Sequence, residues 1–279
     1  QGLVENVQIL SSNLVQNGDF SEEGVQEVSN GSFTNGSTDW TLGSGISIGS
    51  NEAIFTGISG QYLSQDMLTS GKSYKLVFDV TDYTSGALTI FGGSGNNISA
   101  LFPVNSTGTY TGFFVAGGTN NRLYFGNTFI GSITNISVKE VGMDWTLDDW
   151  SVGNSLVSSG NTSSLLRQDN IYTSTTSIYK TTFKAKSVNG TSVTLRVYDG
   201  SGNNFETITI TSSDFQDFTL TRQRQGASPS LFFFNNSNAE IEITNISVIE
   251  ITTDTNLPRI NYEGFSFDGS GNIIPNSGC

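Results

Sequence analysis

The chain has 279 residues, enough for two domains of ordinary size, and its 19 Phe, 9 Tyr and 3 Trp are enough to fill two cores. Charged residues make up 13%, and 12 basic against 25 acidic side chains leave a net charge of -13. The surface is therefore covered by Ser, Thr, Asn and Gly, and nucleic acid and anionic membranes are excluded as partners by repulsion. There is no histidine and the single cysteine is Cys279, so Ser-His and Cys-His nucleophile pairs and an intrachain disulfide are excluded too.

Along the chain, residues 1–12 read as an N-terminal extension, with neither the basic start nor the apolar core of a signal peptide. No stretch approaches the ~20 apolar residues of a membrane-spanning helix. Asn17-Gly18-Asp19-Phe20 is followed by its echo, Asn30-Gly31-Ser32-Phe33. Both read as a preface to a first domain over 13–141. Asp39-Trp40-Thr41-Leu42 then opens the domain, and Lys72 to Thr81 alternates with Tyr74, Leu76, Phe78 and Val80 on one face. Such period-two alternation predicts a strand with one buried face. Turn signals such as Gly92-Gly93-Ser94-Gly95-Asn96-Asn97 separate the strands. The unit ends on Thr134-Asn135-Ile136-Ser137-Val138.

The same order then returns. Asp144-Trp145-Thr146-Leu147 follows its first copy by 105 residues, and Tyr179-Lys180 follows Tyr74-Lys75 by the same offset. Gly200 to Asn204 repeats Gly93 to Asn97, Leu231-Phe232-Phe233 matches Leu123-Tyr124-Phe125, and Thr244 to Val248 repeats Thr134 to Val138, with the offset creeping to 110. Conserved order with small insertions is the mark of a duplicated domain. The second copy spans 142–251, lacks a preface and follows the first with almost no linker. No window keeps a helical period. The fold class is all-β: two tandem antiparallel β-sandwiches of jelly-roll type with an extended C-terminal tail over 252–279. The tail reads as a connector to a further or partner domain, and the end at Cys279 as a cut.

These motifs carry a resemblance. Leu14 to Phe20, then Asp39-Trp40, then a closing Thr-Asn-Ile-Ser strand, is similar to carbohydrate-binding modules of the family 4/9/22 type. As strung in tandem ahead of Asp254 to Tyr262, they also resemble virion proteins of tailed bacteriophages. The resemblance implies jelly rolls that bind polysaccharide, non-catalytic and often with a structural calcium. Its acidic ligand in the closing strand is replaced here by Asn135 and Asn245, which puts calcium there in doubt. Asp19, Glu22 and Glu23 are the remaining oxygen donors near the first strand, hence the metal candidates.

Trp40 and Trp145 hold one position in both copies and read as packing residues. Trp150 stands where the first copy has Ile46, so it is the candidate exposed aromatic, with a core place as the alternative. In Phe232-Phe233-Phe234 the middle ring faces opposite to its neighbours, one side being core and the other outward. Phe233, Tyr124 and Phe91 join Trp150 as candidate glycan contacts. The acids form no repeated pair of the kind a glycosidase needs, so no enzyme is expected. The expected function is a virion appendage, a tail fibre or capsid decoration, that is homo-oligomeric, extracellular and adhesive towards glycans or other virion proteins. The alternative is a carbohydrate-binding module pair of a secreted bacterial adhesin or polysaccharide-degrading enzyme.

Overall fold

The computed structural model describes residues 8–199, 204–225 and 228–253, with short strands at Phe265–Phe267 and Ile273–Pro275 beyond them. Among the described residues no helix is long and apolar enough to cross a membrane.

Two β-sandwiches carry the fold. In the first, a six-stranded sheet runs in the order Ile46–Gly49, Glu52–Thr56, Ile130–Val141, Ser73–Ser85, Gly108–Val115, with Glu23–Gln26 paired to the far end of Ile130–Val141. It faces a four-stranded sheet ordered Thr41–Leu42, Tyr62–Asp66, Arg122–Gly126, Thr89–Gly92. The second sandwich repeats this plan. Its six-stranded sheet runs Trp150–Val152, Leu156–Ser158, Ile241–Thr253, Ile178–Ser187, Gln216–Gln223, and Gln8–Leu10 pairs with Ile241–Thr253. Opposite lie Thr146–Asp148, Ser164–Gln168, Leu231–Asn235, Val193–Tyr198 and Asn204–Ile210. All pairings within these sheets are antiparallel.

The cores follow from alternation. Tyr74, Leu76, Phe78 and Val80 are buried in the first, and Val193, Leu195 and Val197 in the second. Their odd-numbered or even-numbered neighbours stay partly exposed, as a pleated strand with one covered face requires. Trp40 and Trp145 are packing residues in both copies. Each ring lies against a preface phenylalanine, Phe33 at 5.4 Å and Phe20 at 5.6 Å.

That contact corrects the domain boundary. The Asn17 segment does not preface the first sandwich. Val15 and Phe20 sit in the second core, whereas Val28 and Phe33 sit in the first. Residues 8–22 thus complete the sandwich of 142–253, and the first sandwich begins near Glu23. The preface binds each closing strand the same way: Ile136 N–H donates to Gly31 O at 3.0 Å, and Ile246 N–H to Gly18 O at 2.8 Å. A Cβ on either glycine would lie 2.0 Å from the isoleucine carbonyl, so only glycine fits. The approach is possible because the closing strand bulges. Asn135 and Asn245 adopt φ of 51° and 54°, and the ladder shifts register there. Asparagine tolerates this left-handed conformation far better than most side chains, which explains the recurring Thr-Asn-Ile-Ser.

Gln65 and Gln168 lock the prefaces further. Each buried amide accepts from a preface N–H, Ser29 at 2.9 Å and Gln16 at 3.0 Å, and donates back to the same residue's carbonyl at 2.9 Å. Between the sandwiches the strand Ile130–Val141 is followed directly by Thr146–Asp148, and Phe113 of the first sandwich packs on the second core.

Candidate functional site

The outward face of the four-stranded sheet follows from its buried face. Leu63, Leu123, Phe125 and Ile90 point inward and are fully buried, so Tyr62, Tyr124, Arg122 and Phe91 point outward. The register sets Tyr124 opposite both Ser64 and Phe91, with Tyr62 one diagonal away. The three rings meet edge-to-face: Tyr62–Phe91 at 5.7 Å, Tyr62–Tyr124 at 5.9 Å and Phe91–Tyr124 at 6.3 Å. All three are half-buried, which fixes their orientation and leaves apolar ring surface open.

Polar groups border this patch. Asn120 donates to the Tyr124 hydroxyl at 2.7 Å and accepts from Ser94 N–H at 2.9 Å, tying the ring to the Gly93 turn. Arg122 grips Asp66 with two bonds, Nε to Oδ1 at 2.6 Å and Nη2 to Oδ2 at 2.8 Å. These bonds hold the Asp66 carboxyl below its usual range and keep the face electrically neutral. A neutral aromatic surface ringed by amide and hydroxyl groups suits the apolar face and hydroxyl edge of a pyranose ring.

Of the candidate contacts, Tyr124 and Phe91 are brought together, beside a third ring, Tyr62, that the sequence reading did not name. Its signal was available: Leu63-Ser64-Gln65-Asp66 recurs as Leu166-Arg167-Gln168-Asp169, which marks the strand that Tyr62 begins.

Two candidates are corrected. Phe233 is fully buried in the second core, in edge-to-face contact with Phe183 at 5.0 Å. The outward residues of that strand are Phe232 and Phe234. Trp150 is 4% exposed and also in the core. The reason is an exchange of bulk between neighbouring strands. In the first sandwich Ile46 pairs with Phe55, whereas here Trp150 pairs with Ser158, so the large ring has moved one strand over.

The metal candidates do not assemble. Both Glu23 carboxylate oxygens accept from lysines, Lys75 and Lys139, in ion pairs that brace the Glu23–Gln26 strand. Asp19 Oδ1 accepts from the Ser21 amide and hydroxyl, and Glu22 is held through its backbone by Asn17. No group of three His, Cys, Asp or Glu side chains fit to hold a metal occurs among the described residues. The set does not fit calcium.

The second sandwich presents an equivalent outward face, on its five-stranded sheet. Arg167 and Tyr198 flank Phe232, and Leu165 and Arg196 flank Phe234. The Arg167 guanidinium lies over the Phe232 ring, 5.8 Å from its centre, and Tyr198 meets Phe234 edge-on at 6.3 Å.

The architecture is that of paired β-sandwiches with aromatic outer faces. No family model matches the chain, and no curated protein sequence does. Among solved structures it is similar to the N-terminal tandem CBM22-1–CBM22-2 domain of Paenibacillus barcinonensis Xyn10C, with a TM-score of 0.32 and 10% identity, over 82% of this chain and 99% of that one. It is also similar to the tandem CBM51 modules of Sp3GH98 from Streptococcus pneumoniae, with a TM-score of 0.27 and 8% identity, over 87% and 99%. A third likeness is to a structure described as "CBM4 structure and function", with a TM-score of 0.30 and 17% identity, over 39% and 80%.

Proposed function

We propose that the chain is a pair of glycan-binding modules, a carbohydrate-binding module pair of a secreted bacterial adhesin or polysaccharide-degrading enzyme. The observation that supports this reading is the edge-to-face trio of Tyr62, Phe91 and Tyr124 on an outward sheet face. Exposed aromatic clusters held rigidly by a scaffold are costly to leave in water and mark interaction surfaces. The flanking Asn120 and the Arg122–Asp66 pair supply directional polar contacts around it. Binding at one such face is weak, and two faces on one stiff body gain through multivalency. The virion-appendage expectation rests on the sequence resemblance alone and stays outside this reading.

The test is calorimetric titration with a panel of neutral β-linked and α-linked oligosaccharides. At least one is expected to bind, and Tyr124→Ala or Tyr62→Ala is expected to weaken it by about 10-fold or more, since one well-placed aromatic contact contributes on the order of 1 kcal/mol or above. Unchanged melting curves for these variants would separate lost contact from lost fold. Binding that survives both substitutions would place the site elsewhere and sink the reading.

A further inference from the structure

The outer faces of the two sandwiches differ in how their arginines are paired. On the first, the one arginine, Arg122, is neutralised by Asp66 through two short bonds. On the second, two arginines lie diagonally across an aromatic surface. The register gives one row of Leu165, Phe234 and Arg196 and a second row of Arg167, Phe232 and Tyr198. Arg196 meets only the Tyr198 hydroxyl among the described residues, at 3.4 Å, and no carboxylate. Arg167 is ion-paired with Asp169 through Nη2 at 3.2 Å, while its Nε is buried and without a hydrogen-bond partner among the described residues. On the same face Asp148 lies beyond Leu165, at the edge away from Arg196. In a chain of net charge -13, two guanidinium groups set outward among Phe232, Phe234 and Tyr198 need a reason.

We infer that the outer sheet face of the second sandwich binds an acidic polysaccharide, with Phe232, Phe234 and Tyr198 against the sugar rings and Arg196 and Arg167 on their anionic groups. This rests on the glycan-binding reading and assigns the second module a ligand class of its own. A guanidinium presents a planar fork of donors that matches a carboxylate or a sulfate ester, and its attraction is strong beside low-dielectric aromatic surface. The overall acidity of the chain opposes long-range capture of such a polymer. Selectivity must then come from these two short-range contacts, so each arginine has a large effect. The tandem would hold a neutral glycan on one module and an acidic glycan on the other.

The experiment titrates the full chain with three probes: neutral oligosaccharides, oligogalacturonate as the carboxylate source, and carrageenan oligosaccharides as the sulfate source. An acidic probe is expected to bind, more weakly as salt rises. Arg196→Gln and Arg167→Gln are each expected to weaken it by about 10-fold or more, the ordinary value of a hydrogen bond to a charged group. Tyr124→Ala is expected to leave acidic binding intact and to reduce neutral binding, and the arginine variants to do the reverse. Which acidic probe binds identifies the anionic group. Neutral binding alone would overturn the proposal and leave the first-face reading standing. Binding of no probe would overturn both. Acidic binding unmoved by either arginine variant, with melting curves unchanged, would also overturn it.

Discussion

The indole Nε1 of Trp145 donates to the carbonyl of Asn17 at 3.2 Å, across 128 residues of sequence. Its counterpart Trp40 donates to Asn30 at 3.1 Å, across only 10. The two sandwiches make the same bond, but one closes it locally and the other must recruit the start of the chain. The second sandwich is therefore complete only when residues 8–22 have crossed to it.

Phe20 and Phe33 separate the two cases. Phe20→Ala is expected to destabilise the second sandwich by about 3–5 kcal/mol, the usual loss for a buried phenylalanine, although it lies ahead of the first sandwich in sequence. Hydrogen exchange should quicken in Ile178–Ser187 and not in Ser73–Ser85. Phe33→Ala should give the opposite pattern. Faster exchange in Ser73–Ser85 for Phe20→Ala would return the N-terminal segment to the first sandwich.

Trp150 gives a second test. Its ring is 4% exposed, and its buried Nε1 has no hydrogen-bond partner among the described residues. An unsatisfied buried donor costs about 1–3 kcal/mol, which offsets much of what the larger ring adds in packing. Trp150→Phe is thus expected to change stability by about 1 kcal/mol or less. Trp150→Ala should cost about 3–5 kcal/mol through the cavity it leaves. Chemical denaturation measures both, and a large loss in the phenylalanine variant would mean that the indole has a partner.

Much of this was legible in the residues. Alternation placed Tyr74, Leu76, Phe78 and Val80 in the core, since period two decides which face a side chain occupies. The duplicated motifs marked two sandwiches, and Tyr124 with Phe91 was the nucleus of the first outer face. The match of Tyr124 with Phe232 already implied that Phe232, and not Phe233, faces outward. Partner choice was not legible. Two prefaces and two Asp-Trp openings stand in the sequence, and local pattern does not say which pairs with which. Trp150 was misjudged for a related reason: the compensating Ser158 lies on the neighbouring strand, out of reach of a position-by-position comparison.

Glu23 ties the start of the first sandwich to its sheet, and the tie is acid-sensitive. Hydrogen bonds from Lys75 and then Lys139 hold its carboxyl below the ordinary glutamate value of 4.5. A depressed folded-state value means that the stabilisation is present above pH 4.5 and is lost as pH falls through the folded value. Melting temperature should therefore drop more steeply below about pH 4.5 in the native chain than in Glu23→Gln. The Glu23 side chain is 29% exposed, so the contribution is small even where it is fully present, and it shrinks further with salt. Parallel acid profiles for the two proteins would show that the lysines do not depress this carboxyl.

The same commitment of Glu23 bears on calcium. That ion takes about six to eight oxygen ligands, several of them carboxylate. Here Glu23 is neutralised by two lysines, Asp19 is occupied with Ser21, and the closing strands carry Asn135 and Asn245 in conformations that serve the bulge. A cation seated at Glu23 would have to displace Lys75 and Lys139 and leave both unpaired. Neither chelator nor added calcium is expected to shift the melting temperature. A rise of several degrees with calcium would show a site formed by other oxygens, because any ligand that binds only the folded state must stabilise it.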